Sequence, residues 1–510
     1  MENYLVVNLG LKSIRIIVFN QDGQQIYVNS KAVYSRLKDN RVEQNAIEWT
    51  SHLKELMSDL KENTSLSGNI RYVTSTTSSS CIYGVDKNGD PTTRVMMVSD
   101  KRSKAQVDQI VSSKAFIDGS KKHGFKCSTS STIPKILWYQ ENKPEIYAKT
   151  HKWLGAGEFI HYFFTKEFII DPLNAGKAFY NGEEYDSSIL SEVGIDSELL
   201  PKVLNIGDAL EIPNSVSSEY SLPDDCQFVI TTYDAICAVI GSYDGSNYTA
   251  CDVSGTVTSV RVLTDKKIES NPDSVILSQE LGIENKRLIG ASNNMGGGII
   301  EWCKQAFYDV ADKNVYYSME NNAQNSSVGA KGIIFLPYLL GERAPFKSVN
   351  AKATFFGVSR YSKKEDFTRA VLESTAFVTN DLLNLSIDAG LDIDAISVSG
   401  GLARFDLVNQ IKADVTNRKV LVLENFESTS IGAFILMAIS IKKYSTLLEA
   451  SNSAVRIRKI INPSEKNHEI YREYFKLFKE VNETLLDTYN RHKDILTKME
   501  SYSSETLSNL

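Results

Sequence analysis

LVVNLGLKSIRIIVFNQDGQQI, residues 5–26, sets one apolar run against another across Gly10-Leu11-Lys12-Ser13, and Gly23 closes the second run with a turn. Apolar runs split by a short glycine-containing segment predict a β-hairpin whose bend joins two buried strands. A bend that tight turns backbone N–H groups outward, and with the Ser13 hydroxyl they form a cradle suited to phosphate. Gly10, Lys12, Ser13 and Arg15 are the phosphate-side candidates of this hairpin. A magnesium–phosphate site ordinarily has a carboxylate beside it. Here Asn8 occupies that place and offers only a weak, water-bridged metal contact.

A second stretch repeats the pattern. ACDVSGTVTSVRVL, residues 250–263, reads as strand, Gly-Thr bend, strand, with Gly255 in the role of Gly10 and Thr258 in that of Ser13. Between the two hairpins, GSYDGSNYT at 241–249 crowds small and polar residues into a linker. The first half alternates strands at 4–9, 14–20 and 70–75 with a helix near 47–62, an α/β pattern. Two similar α/β domains, each opening on a hairpin aimed at a shared cleft, are the simplest organisation. The boundaries expected are 1–245, 246–460 and a helical extension at 461–510, where Tyr474, Leu477, Val481, Leu485 and Tyr489 recur at helical spacing. That amphipathic helix suits either packing within the chain or a homodimer contact.

Composition narrows the function class. A chain of 510 residues with 42% hydrophobic and 23% charged content is an ordinary globular protein of more than one domain. A net charge of −7 with no basic stripe argues against a nucleic-acid partner. Six scattered cysteines without a Cys-x-x-Cys pair, and six histidines not grouped at ligand spacing, speak against a structural zinc or a disulfide framework. No signal-peptide pattern and no apolar stretch of membrane-spanning length is present, which implies a cytoplasmic protein with no membrane partner.

The chemistry gathers at strand ends. VITTYDAICAVIGS, residues 229–242, runs from a strand through Thr231, Thr232 and Tyr233 to Asp234 and then into a helix of small residues. An acid at such a junction reaches a cleft, although the same position also suits a helix cap. Downstream, NNMGGGIIEW places Gly296, Gly297 and Gly298 before a helix, and VSGGLARFD places Gly400 and Gly401 after a strand. Glycines there let backbone approach a nucleotide, and with Gly255-Thr256 they give three candidate contacts in the second half.

Two long patterns then resemble the FGGY carbohydrate kinase family. STIPKILWYQEN, residues 131–142, is similar to the first family signature through Lys135, Trp138, Glu141 and Asn142. ATFFGVSRYSKKEDFTRAVLE, residues 353–373, is similar to the second through Ala353, Gly357, Asp366, Ala370 and Glu373. VEQNAIEW at 42–49, GIIFLPYLLGERAPF at 332–346 and STSIGAFILMA at 428–438 extend the likeness to nearly the whole chain.

The resemblance implies two actin-like, ribonuclease-H-like domains around a central cleft and transfer of the γ-phosphoryl of MgATP to a hydroxyl of a small sugar or polyol. It implies that the first domain holds the sugar and the second the nucleotide. Asp234 then corresponds to the catalytic base and a weak metal contact, and Gly255-Thr256 to the second phosphate hairpin. Gly297 and Glu301 correspond to nucleotide-side positions, Gly400-Gly401 to the adenosine loop, and Asp100 and Arg102 to an Asp-x-Arg in the sugar-proximal loop. ATP and Mg²⁺ are the implied cofactors.

Departures accompany the matches. Asn8 stands for the usual acid, Leu11 for a usual hydroxyl residue, and Leu402 for a usual glycine. The sugar loop reads TTSSSC, residues 76–81, where xylulose kinases carry a histidine. Ser78, Ser79 and Ser80 suit a polyhydroxylated ligand, as they suit a plain loop. An active kinase for a ketopentose is the leading expectation, and a weakened sugar- or nucleotide-binding homologue with a regulatory role is the alternative.

Overall fold

The computed structural model describes residues 2–255, 257–268 and 274–508, with side chains described as far as residue 499. The chain divides into two units, residues 1–241 with 428–454, and residues 242–427 with 455–510.

Unit 1 is built on β1 (Asn3–Leu9), β2 (Ser13–Phe19), β3 (Gln25–Ala32), β4 (Ile70–Thr77), β5 (Ala209–Glu211) and β6 (Gln227–Val229). Their spatial order is β5-β6-β4-β1-β2-β3. The first three strands form an antiparallel meander, whereas β4 runs parallel to β1 and β6 parallel to β4. Every residue of β1 is buried because both sheet faces are covered. Leu5, Val7 and Leu9 share a core with Trp49, Leu53 and Phe159, while Tyr4 and Phe19 pack on Phe434 at centroid distances of 5.5 and 4.7 Å. The helix Ala46–Glu62 begins where the Asn45 side chain accepts the Ile47 N–H. It buries Trp49, Leu53, Leu56, Met57 and Leu60 at three- and four-residue spacing, each contributing about 1.5–3 kcal/mol of apolar burial.

Unit 2 repeats the topology with β7 (Thr249–Ser254), β8 (Thr258–Thr264), β9 (Leu277–Glu280), β10 (Arg287–Ser292), β11 (Ala395–Ser399), β12 (Lys419–Leu423) and β13 (Ile457–Ile461). The order is β9-β10-β8-β7-β11-β12-β13. Strands β7, β8 and β10 form the antiparallel meander, and β11 and β12 continue parallel to β7. Both sheets therefore grow outward from an opening hairpin in the same way, and the internal repeat seen in the sequence is a repeat of fold.

Two boundaries differ from the sequence reading. Residues 428–454 do not stay with a 246–460 domain. The helix Ser428–Ser440 packs on the helix Asp234–Ile240 so closely that a Cβ at Gly432 would lie 1.8 Å from the Cys237 carbonyl oxygen. Nor is 461–510 an appendage. The helix Glu465–Ser508 buries Tyr471, Phe478, Val481 and Tyr489 in the unit 2 core, and the Tyr471 hydroxyl donates to Glu373 Oε1 at 2.7 Å. Leu477, expected on the packed face, is 36% exposed, because the buried stripe runs one residue later through Phe478.

Candidate functional site

The first hairpin bend is held from behind. Gly10 N–H donates to the Ser13 carbonyl at 3.0 Å, Val33 N–H to the Lys12 carbonyl at 3.0 Å, and Ser78 N–H to the Leu9 carbonyl at 2.9 Å. Gln44 Nε2 donates to the Leu11 carbonyl at 2.9 Å, while Gln44 Oε1 accepts from Trp49 Nε1 at 2.9 Å. With the carbonyls of the bend tied back, the N–H groups of Leu11 and Lys12 find no acceptor among the described residues. Both residues are exposed, so the bend presents donors to solvent, the arrangement that binds anions. Arg15 Nε donates to Ser13 Oγ at 3.0 Å. Asn8 is buried, and its Nδ2 donates to Ser430 Oγ at 3.2 Å. Gln44, which lies within the 42–49 motif, was not singled out by the sequence reading.

Asp234 is the first residue of its helix and is half-buried, with Tyr233 preceding it in extended conformation. The segment leading to it is anchored by hydroxyls. Thr231 Oγ1 lies 2.8 Å from Thr74 Oγ1, and Thr232 Oγ1 donates to Asp171 Oδ1 at 2.9 Å. Asp171 also accepts from Leu173 and Asn174 N–H at 3.1 Å and from Asn174 Nδ2 at 2.7 Å; Asn174 Oδ1 in turn accepts Ser79 Oγ at 2.7 Å. One continuous chain thus joins the serine loop to the segment carrying Asp234.

That loop is strained into place. Ser80 has φ of 67°, and Lys135 Nζ donates to the carbonyls of Ser80 at 2.5 Å and Met97 at 2.9 Å. Lys135 is wholly buried, and desolvation pulls its ammonium down to about 8. Ser78, Ser79 and Ser80 line a small cavity with Cys81, Glu158 and Lys177. Asp100 and Arg102 are spent on one another: Arg102 Nε and Nη2 reach the two Asp100 oxygens at 2.9 and 2.7 Å, and Nη2 reaches Glu43 at 2.6 Å. Val42 N–H takes a further share of Asp100 at 2.8 Å. Arg102 faces a different groove, with its guanidinium 5.1 Å from the Trp138 ring centre.

In unit 2 the Gly255 carbonyl accepts Gly297 N–H at 2.7 Å, tying the second bend to the helix Gly297–Phe307. Thr256 lies outside the described residues. Gly400 has φ of 82°, and a Cβ there would sit 2.6 Å from the Ser254 carbonyl oxygen, so the position demands glycine. Gly297, Glu301 and Gly401 meet in a cavity of about 510 Å³ walled by Tyr316, Tyr317 and Arg404. Glycine backbone on one side and aromatic rings on the other suit a purine base. Tyr316 donates to Glu301, and Lys304 lies 2.6 Å from the same carboxylate. The tyrosines and Arg404 escaped the sequence reading. Leu402 is buried against the core and lines the same cavity beside Gly401.

Residues 3–241 match the model of the FGGY family of carbohydrate kinases, N-terminal domain, and residues 253–441 match that of its C-terminal domain. The chain belongs to the FGGY family of carbohydrate kinases. It is xylulose-kinase-like: a xylulose kinase of Staphylococcus epidermidis (strain ATCC 12228 / FDA PCI 1200) is 26% identical over 499 residues, covering 94% of this chain and 96% of the relative. A gluconokinase of Bacillus subtilis (strain 168) is 23% identical over 516 residues, covering 97% and 98%. The crystal structure of ligand-bound xylulose kinase from Lactobacillus acidophilus shares the fold with a TM-score of 0.86 at 22% identity, covering 96% of this chain and 100% of that one.

Within this FGGY kinase both family signatures are framework. Lys135 pins the serine loop, and Glu141 accepts from Gln106 Nε2 at 2.6 Å. Asp366 caps its helix by accepting Lys363 N–H at 2.9 Å, and Glu373 accepts Arg369 Nε at 2.7 Å and Gly329 N–H at 3.0 Å. Among the described residues no helix is long and apolar enough to cross a membrane, and no group of three or more His, Cys, Asp or Glu could hold a metal ion.

Proposed function

We propose that this sugar kinase transfers the γ-phosphoryl of MgATP to a hydroxyl of a small sugar or polyol, with a ketopentose such as xylulose or ribulose as acceptor. The acceptor is assigned to the serine loop of unit 1 and the nucleotide to the glycine-and-tyrosine cavity of unit 2. The observation that carries the reading is the hydrogen-bonded run Ser79–Asn174–Asp171–Thr232, which ends two residues before Asp234. The run anchors the segment that carries Asp234, and a carboxylate near a bound hydroxyl is what its deprotonation requires.

Phosphoryl transfer has a loose transition state, so positioning and charge dispersal carry most of the catalysis. Asp234 takes the proton as the acceptor oxygen attacks phosphorus. The N–H groups of Leu11 and Lys12 and the side chains of Lys12 and Ser13 are the phosphate donors of the first bend, with Arg15 orienting Ser13. Mg²⁺ characteristically arrives on phosphate and takes only one or two protein carboxylates. The donor set fits that mode, since Asp234 supplies one carboxylate and Asn8 Oδ1 a neutral oxygen. The ion would offset phosphate charge. Six free cysteines and dependence on ATP suit a reducing cytoplasm.

The test is ADP release against xylulose, ribulose, ribitol, gluconate and glycerol, with Asp234→Asn as control. Release with xylulose or ribulose above that control supports the reading. No release with any acceptor, despite sugar binding, favours the weakened homologue to which Asn8 and Leu11 point.

A further inference from the structure

The serine-loop cavity contains a group that the proposed reaction has not used. Glu158, the third residue of the helix Ala156–Thr165, is only 4% exposed and lines the cavity with Ser78, Ser79, Asn174, Lys177 and Tyr185. Its Oε2 accepts the Gly155 N–H and closes the helix's first turn, so closely that a Cβ at position 155 would strike it. Its Oε1 is buried and meets no hydrogen-bond partner among the described residues. A buried carboxyl oxygen left without a partner is costly, and natural proteins retain one where a ligand or water completes it. The cavity measures about 20 Å³, enough for one oxygen-bearing group and too little for a ring.

We infer that Glu158 contacts the substrate, with its Oε1 hydrogen-bonded to a terminal oxygen of the sugar or polyol acceptor. The inference rests on the acceptor reading of this cavity and deepens it. Burial, with Asp171 nearby, pushes the Glu158 carboxyl up to about 8, so it is protonated at neutral pH. Because Oε2 is engaged by an N–H, the proton lies on Oε1 and the residue acts as a donor. The other groups facing it are Asp171, Tyr83, Tyr185, Cys81 and Lys177. Burial raises the Asp171 carboxyl against the pull of its four hydrogen bonds, and pushes the two phenols and the thiol upward, away from neutral pH. Titration of Glu158 removes the donor and adds a negative charge, so acceptor affinity falls as pH rises.

The experiment measures binding of D-xylulose, D-ribulose and ribitol by calorimetry from pH 6.5 to 9.5 on the full chain, in wild type, Glu158→Gln and Glu158→Leu. Gln retains both a donor and an acceptor but does not titrate. Wild-type Kd should rise about tenfold between pH 7 and 9, as loss of one proton near pH 8 requires. E158Q should bind with a shallower profile than wild type, any slope left over belonging to Lys135 behind the serine loop. E158L should bind about tenfold more weakly at pH 7, and ADP affinity should not change in either. A wild type that binds none of the three compounds overturns the acceptor reading and the inference together. Binding in which E158Q retains the full wild-type pH slope, or an E158L that binds as wild type does, leaves the acceptor reading standing and overturns the role of Glu158.

Discussion

Lys412 and Asp252 form a buried ion pair beneath the bend of the second hairpin, Nζ to Oδ2 at 2.5 Å with both side chains at most 1% exposed. Asp252 Oδ2 also accepts Thr379 Oγ1 at 2.9 Å, and its Oδ1 accepts Ser254 Oγ at 2.5 Å. Ser254 lies 3.1 Å from Thr258 Oγ1, so the network ties together both strand ends of the bend. Such a pair contributes little net stability, yet breaking it strands a buried charge. Lys412→Met should therefore cost about 3–5 kcal/mol. The double variant Asp252→Leu/Lys412→Met should regain most of that stability. If the pair positions the bend, the double variant should fold with a raised KM for ATP and an unchanged KM for the acceptor. An unaltered ATP KM in the folded double variant would reduce the pair to packing.

Removal of the proposed base gives a sharper kinetic signature. Asp234→Asn retains size and helix position but cannot accept the acceptor's proton. Its kcat should fall by roughly 10² to 10⁴, the usual worth of a general base, with ATP affinity nearly constant. Steady-state rates over both substrates check this, and near-normal turnover removes Asp234 from the proton-transfer role.

What the sequence made legible was local. Both hairpins were readable because apolar runs around a glycine bend are a short-range pattern, and Ser13 and Thr258 each open a second strand as expected. The home of 428–454 was not readable, because it depends on Gly432 meeting Cys237 from 195 residues away. Tyr316 and Tyr317 look like core aromatics in a helical segment, and only the fold turns them toward Gly297 and Gly401. Asp100 and Arg102 looked like sugar ligands by position, but their mutual charge pairing is a contact that spacing does not reveal.

Glu342 provides a test of stability against pH. Desolvation pushes its carboxyl up to about 7, although Asn294 and Arg343 N–H groups donate to it at 2.9 and 2.8 Å. A carboxyl whose folded pKa exceeds its unfolded value supports the fold fully below about pH 4.5, and that support is lost as pH rises through 7. The loss should be on the order of 3 kcal/mol. Glu342→Gln keeps an oxygen for both N–H groups without titrating. The thermal midpoint of wild type should drop from pH 5 to pH 8 by more than that of E342Q; parallel curves would show that Glu342 titrates normally.

The proposed metal role of the first bend is tested at Asn8. Its Nδ2 is committed to Ser430 Oγ, which leaves Oδ1 as its acceptor oxygen, close to the bend, about 4.0 Å from where a Gly10 Cβ would stand. A neutral amide oxygen offsets none of the charge of Mg²⁺, whereas a carboxylate at the same place would. Leu11 removes a further hydroxyl, so the bend relies on backbone N–H groups and Ser13. Aspartate is isosteric here, and the Ser430 hydroxyl can rotate to donate to it. Asn8→Asp should thus lower the Mg²⁺ concentration for half-maximal rate and raise kcat about tenfold, equivalent to roughly 1.4 kcal/mol of transition-state stabilisation. Rates measured across a Mg²⁺ titration check this. Brisk wild-type turnover at low Mg²⁺, unchanged or harmed by the substitution, would mean that the amide is suited to its place and that Asp234 alone among these two side chains serves the metal.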